Sequence, residues 1–244
     1  MAQIGTEVLK LRTIRSPWFL LAAALAVVVV GAAGPLSMAE GTPAELAAAA
    51  AAHVGLTAMF PLVLGIVAVA GEYRHKTITD TYLGTPHRGR VLGAKLAVYT
   101  VAGVVFGVAS ALTSLATIAV WFFATGETAT WIDDGELART LIGAVGWNAA
   151  FAAIGVGLGA LLRNLTAAVA AALVWVALVE AAVGQLVGSD ANRWLPFYAG
   201  TALGRLPNAV ADGLPQWGAG LLLLGYAAVF TAAAATFGVR RDVT

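Results

Sequence analysis

Six apolar stretches, at 18–34, 49–71, 91–123, 137–162, 165–187 and 217–239, meet or approach the ~20 residues that a bilayer demands of a spanning helix, and 91–123 is long enough for a tilted span that projects beyond the hydrocarbon. A chain of 244 residues that is 60% hydrophobic and 11% charged lies outside the range of soluble globular domains. Lipid supplies no hydrogen bonds, so each span must satisfy its own backbone, and an α-helix does so within one segment. The expected fold is therefore all-α, a polytopic membrane protein of six transmembrane helices forming one transmembrane domain over 1–244. Basic residues ahead of the first apolar run also resemble a secretory signal peptide, but the many later spans argue for a retained first span.

Charge sets the expected topology. The longest polar run, 71–95, carries Arg74, Lys76, Arg88, Arg90 and Lys95 between two spans. Lys and Arg near span ends are retained on the cytoplasmic side, which makes this an inner loop. Within it, 72–82 has no Gly or Pro and is expected to form about three helical turns, stopped by Gly84-Thr85-Pro86, with a second helix starting near Arg88. Ahead of the first span, 1–16 repeats Ile4, Val8 and Leu11 at helical spacing among Lys10, Arg12 and Arg15. This predicts an amphipathic helix on the inner membrane surface. Counting Arg163, Arg240 and Arg241, eleven of the fourteen basic residues fall inside. Glu40, Glu45, Glu127, Asp133, Asp134, Glu136, Asp190 and Asp212, eight of the thirteen acids, fall outside. The segment 188–216 holds Trp194, Phe197 and Tyr198 but is interrupted by Pro and Gly. It reads as short re-entrant helices dipping into the outer leaflet, where neighbouring protein satisfies their backbone.

Catalytic signatures are missing. No G-x-x-x-x-G-K-[ST] phosphate loop occurs. Gly155-Val156-Gly157-Leu158-Gly159-Ala160 fits G-x-G-x-x-A, but it lies inside an apolar helix with no strand before it. Its expected use is close helix packing, as for Gly103 and Gly107. The chain has no cysteine, and His53, His75 and His87 are scattered without H-E-x-x-H, so no metal site is expected. Asn164-Leu165-Thr166 matches a glycosylation sequon but falls on the cytoplasmic side.

Polar groups within the spans are few. Ser110, Thr113, Ser114 and Thr117 share one helix face; they either line a substrate path or bond to their own backbone and neighbouring helices. Glu180 is the one charge well inside a span, by default a functional hypothesis. Its readings are a partner such as Gln185 or another helix, a proton relay, or contact with outer water. With Asn148, these residues make up the substrate-path candidates.

Gly71-Glu72-Tyr73-Arg74-His75-Lys76-Thr77-Ile78, then Leu83-Gly84-Thr85-Pro86, Arg88, Arg90-Val91-Leu92 and Ala94-Lys95, resembles the signature of permease subunits of type-2 ATP-binding-cassette exporters. That family shows an E-x-x-x-x-T-I run, a T-P followed by a basic residue, and an A-K at the start of the third span. Lys76 stands where Gly is frequent. The resemblance implies a permease subunit without an ATPase site of its own, paired with a second permease copy and driven by a separate ATP-binding-cassette ATPase that holds the ATP and Mg. The ATPase would grip the leader and a coupling loop at 72–90. Glu72, Tyr73, Arg74, Thr77, Ile78 and Tyr82 would transmit its motion, Glu72 through an ion pair with a basic residue of the leader or central loop. Glu180-Ala181-Ala182 also resembles the E-A-A loop of binding-protein-dependent importers, but that loop must face the cytoplasm and this one runs to the outer face. The implied function is outward transport of an apolar or amphipathic substrate across a bacterial inner membrane. The competing reading is a self-sufficient proton-coupled transporter using Glu180, against which stands the lack of a second intramembrane charge.

Single cysteines introduced into this cysteine-free chain test the topology. A cysteine at Lys76 is expected to resist an impermeant maleimide added to intact cells, and one at Thr125 to react; labelling at Lys76 from outside would invert the scheme.

Overall fold

A computed structural model describes residues 2–38, 40–84, 87–126, 135–206 and 213–238. Thr85, Pro86, Glu127, Asp133, Asp134, Asp212, Arg240 and Arg241, used above in the topology, lie outside the described residues. The chain runs through α1 (Ala2–Thr13), α2 (Ser16–Met38), α3 (Pro43–Ala52), a 3₁₀ turn (Gly55–Ala58), α4 (Met59–Arg74), α5 (Ile78–Gly84), α6 (Arg88–Thr125) and α7 (Gly135–Leu162). It continues through α8 (Leu165–Val174), a π turn (Trp175–Val179), α9 (Glu180–Val187), α10 (Ser189–Asn192), α11 (Pro196–Leu203) and α12 (Gln216–Ala233), which ends in a second π turn. Among the described residues all regular structure is helical, and six segments are long and apolar enough to cross a membrane: α2, α3 with α4, α6, α7, α8 with α9, and α12. Phe19, Val30, Val101, Val120, Phe123, Leu178 and Leu224 project outward from these helices. Exposed apolar surface on that scale belongs against lipid, and the protein is a multi-pass membrane protein.

The second span begins earlier than hydropathy indicates, at Pro43 rather than near 49. Thr42 caps the helix by accepting from the Glu45 N–H, and the Glu45 carboxylate accepts from the Thr42 N–H, a reciprocal capping box with Pro43 at the first helical position. The span is then broken at 53–58. There Val54 O keeps only a 3₁₀ backbone bond, from the Thr57 N–H at 3.3 Å, and also accepts from the Thr57 hydroxyl at 2.7 Å and from Asn148 Nδ2 at 3.3 Å.

Helix α7 is the centre of the bundle. It runs parallel to α4: Gly55 lies against Trp147, Gly65 against Ala152 and Val156, and Gly155 and Gly159 against the backbone of Leu62 and Ile66. A Cβ at any of these glycines would strike the facing helix, so the glycines set how near the backbones come. Helix α6 packs antiparallel on another face, with Gly103 against Asn148 and Ala149 and Gly107 against Val145. Gly157 faces Phe230 and Thr231 of α12. Trp147 is fully buried between Gly55 and Gly200 and meets Phe151 and Phe197 edge-on, at 5.7 and 5.5 Å between ring centres.

The stretch 72–82 is not one helix. Helix α4 continues through Arg74 and stops in a Schellman motif: Thr77 N–H donates to Glu72 O at 3.0 Å, Lys76 N–H to Tyr73 O at 3.3 Å, and Lys76 is left-handed at φ 58°. A left-handed backbone costs Gly no Cβ clash, and Lys76 adopts it here without that freedom. Arg205 closes α11 in the same way at φ 53°, with Leu206 N–H donating to Thr201 O.

Candidate functional site

Four charged side chains meet where α1, the end of α4 and the start of α6 converge. Lys95 Nζ donates to Glu7 Oε2 at 3.0 Å, Glu72 Oε1 at 2.7 Å and Ala68 O at 2.9 Å, using all three ammonium protons. Lys10 Nζ closes the ring, 2.8 Å from Glu7 Oε1 and 2.6 Å from Glu72 Oε1. Glu7 and Lys95 are almost wholly buried, with side-chain exposures of 1% and 2%. Two carboxylates against two ammoniums leave the ring neutral, and its hydrogen bonds offset the desolvation that isolated buried charges would suffer. Burial alone would lower the Lys10 ammonium, but its bonds to Glu7 and Glu72 and their negative charge outweigh that and hold it above the ordinary lysine value.

The short helix α5 is tied to this ring. Thr81 Oγ1 lies 3.5 Å from Glu72 Oε2, and Ile78 is buried as the anchor of α5. Tyr82 and Tyr73 bring their hydroxyls to 3.4 Å, Arg88 lies over the Tyr82 ring at 5.1 Å, and Arg163 lies over the Tyr73 ring at 5.4 Å. Burial chiefly, aided by the Tyr73 hydroxyl, pushes the Tyr82 phenol above its ordinary value. Arg74 and Thr77 are exposed. Thus Glu72, Tyr73, Ile78 and Tyr82 sit within one packed junction, with Arg74 and Thr77 on its outer surface. Glu7 and the burial of Lys95 escaped the sequence reading. The available signal was a lone acid in a basic leader, three residues before Lys10.

The candidates within the spans are dispersed. Thr113 and Thr117 donate to their own helix, to Ala109 O and Thr113 O at 2.9 Å each. Ser110 and Ser114 are fully buried, and their hydroxyls have no hydrogen-bond partner among the described residues. Asn148 is buried at the break of the second span, where it donates to Val54 O and Ala144 O and accepts from the Thr57 hydroxyl at 3.1 Å.

Glu180 meets another helix rather than Gln185. It accepts from the N–H groups of Phe197 (3.0 Å) and Tyr198 (3.2 Å), the first free donors of α11 after Pro196, and from Trp175 Nε1 at 3.1 Å. A carboxylate at a helix N-terminus satisfies orphan donors and opposes the positive end of the helix dipole. The π turn at 175–179, closed by Glu180 N–H to Trp175 O, brings residues five apart onto one side and so joins the indole to the carboxylate.

A family model described as "ABC-2 family transporter protein" matches residues 3–179, spanning the leader, the ring, α5 and the first four spans. The chain belongs to the ABC-2 transporter family, whose members are membrane permease components that lack the ATPase domain and work with an ATP-binding-cassette ATPase. No curated protein matches the chain.

Removing one member of the ring leaves an uncompensated buried charge, so Lys95→Met is expected to cost about 3–5 kcal/mol. Pairing it with Glu7→Gln leaves a balanced Lys10–Glu72 pair and should recover a large part of that loss. Unfolding in mixed micelles, followed by tryptophan fluorescence over the full double-mutant cycle, measures the difference, and additive losses would mean that the residues do not act as one ring.

Glu180→Gln retains an acceptor oxygen for Phe197 and Tyr198 and is expected to preserve the 188–206 segment. Glu180→Leu strands those donors, at about 1–3 kcal/mol, and should make the segment more sensitive to protease. Equal sensitivity of the two variants would remove the capping role.

Proposed function

We propose that the chain is the transmembrane subunit of an ATP-driven exporter, working as a pair of permease copies in a bacterial inner membrane with both termini cytoplasmic. The excess of Lys and Arg at the end holding α1, α5 and Arg163 supports that orientation. In this reading the partner ATPase, which binds ATP and Mg, docks on α5 and the leader. ATP-dependent closure of two such ATPases moves the permeases between inward-facing and outward-facing states, and an apolar or amphipathic substrate leaves on the outer side. Helices α10 and α11 dip into the outer leaflet and cap the exit.

The observation that carries this reading is the neutral ring of Glu7, Lys10, Glu72 and Lys95. It fastens the leader to the second and third spans at the point where a docked ATPase would push. A displacement of α1 or α5 is then delivered to both spans together, because the ring separates only by exposing uncompensated charge. Beside it a hollow of about 540 Å³ opens between the leader and α5, lined by Lys10, Ile14, Gly71, His75, Asp80 and Thr81 among others. Leu83 projects from α5 at 78% exposure, an apolar contact ready for a partner surface. The role of Glu180 as a helix cap supports the ATP-driven reading over the proton-coupled one, since its acceptor sites are already engaged by backbone donors.

Two substitutions separate docking from transmission. Leu83→Glu, on the exposed face of α5, is expected to abolish co-purification of the ATPase while leaving thermal stability unchanged. Glu72→Ala is expected to insert and to bind the ATPase, with export into inverted vesicles reduced about tenfold or more, the scale of a coupling energy of 1–3 kcal/mol. Normal export with 77–82 replaced by a Gly/Ser linker would reduce the loop to a connector.

A further inference from the structure

A second feature of the leader end is a groove of about 550 Å³ between α1, α2 and α6. That volume lies in the range of about 300–1,000 Å³ that small ligands occupy. Val8 and Leu11 of α1, Trp18 and Leu21 of α2, and Val101 and Val105 of α6 form its walls, and Arg12 stands at its edge. No acidic residue lines it. Arg12 makes no ion pair among the described residues, whereas its neighbour Lys10 is consumed by the charge ring. Trp18 and Arg15 are exposed at the same junction. The groove is thus an apolar slot of lipid-chain character with an uncommitted guanidinium at its mouth and an indole beside it, the arrangement found where a chain meets the headgroup layer.

We propose that this groove binds one anionic glycerophospholipid from the leaflet at the leader end, with an acyl chain between α1, α2 and α6 and the phosphate against Arg12. A second copy of the chain fits the surface less well. An isologous contact would bring the same patch of each copy together, and with it two copies of Arg12 and Arg15. The lipid and the ring then hold adjacent faces of one helix. Val8 and Leu11 pack on the chain, while Glu7 and Lys10 lock to α4 and α6, so the leader is positioned by the bilayer as well as by the bundle.

Native mass spectrometry of the purified chain with equimolar phosphatidylglycerol and phosphatidylcholine of identical acyl chains tests the proposal. The unaltered chain is expected to retain one phosphatidylglycerol in preference to phosphatidylcholine. Arg12→Gln should lower that preference about fivefold, the contribution of one basic residue near an anionic surface. Val101→Trp fills the groove from an exposed position and should remove tight binding of both lipids; Ala97→Phe, also exposed, serves the same purpose if the Trp variant does not fold. A phosphatidylglycerol bearing a diazirine on its acyl chain should label peptides containing 97–106. Equal retention of the two lipids by the unaltered chain, or unchanged retention in both filled variants, would overturn the site. Rapid disulfide formation between copies carrying Val105→Cys would overturn it in favour of a second copy.

Discussion

Helices surrounded by lipid gain little from burying apolar surface against one another, because the acyl chains are as apolar as the side chains they would replace. What holds this bundle together is the close approach of backbones along α7. Gly155 and Gly159 bring it against Leu62 and Ile66 of α4, Gly157 against Phe230 and Thr231 of α12, and Gly103 and Gly107 of α6 come down on Asn148, Ala149 and Val145. Three spans thereby converge on one helix, and its neighbours inherit their spacing from residues that have no side chain. Trp147 follows the same logic in reverse. A large ring is seated where Gly55 and Gly200 leave room on two sides, which fixes the short helix α11 against the broken second span.

Two polar side chains complete the helical backbone where it is interrupted. At the break in the second span, Thr57 and Asn148 satisfy Val54 O. Near the opposite end from the leader, Glu180 satisfies the first free N–H groups of α11. Away from water an unpaired backbone group is costly, so a break in a spanning helix is stable only when a side chain from elsewhere completes it. Asn148 and Glu180 thus both bond to backbone at these breaks.

The ring at the leader end has a different character. Its members come from three segments, Glu7 and Lys10 from α1, Glu72 from α4 and Lys95 from α6, and removing any one of them leaves a net charge behind. Ion pairs of this kind contribute modestly to net stability, while any arrangement that separates them exposes a charge in a poor solvent for it. The ring joins the leader to two spans without fusing them covalently, and α5 touches it through Thr81.

Hydropathy by itself determined that this chain lives in a membrane, that it is helical, and where its six spans lie to within a few residues, because unbroken apolar runs of this length suit a spanning helix and not the short alternating strands of a barrel. The signature around Glu72 and the A-K pair at Ala94-Lys95 were likewise legible, and the family match over 3–179 agrees with them. The start of α3 was written in Thr42-Pro43-Ala44-Glu45, a local capping signal that a hydropathy reading passes over. Other features lay beyond any local reading. Lys95 meets Glu7 from 88 positions away, and Glu180 meets Phe197 across 17 positions and a change of helix. A side chain's partner at that separation is decided by how helices cross, and periodicity reports only which face a residue occupies. The left-handed turn at Lys76 belongs to the same class. Nothing in 72–82 forbids a continuous helix, yet α4 ends at a left-handed Lys76 between Glu72, held in the ring, and the buried Ile78.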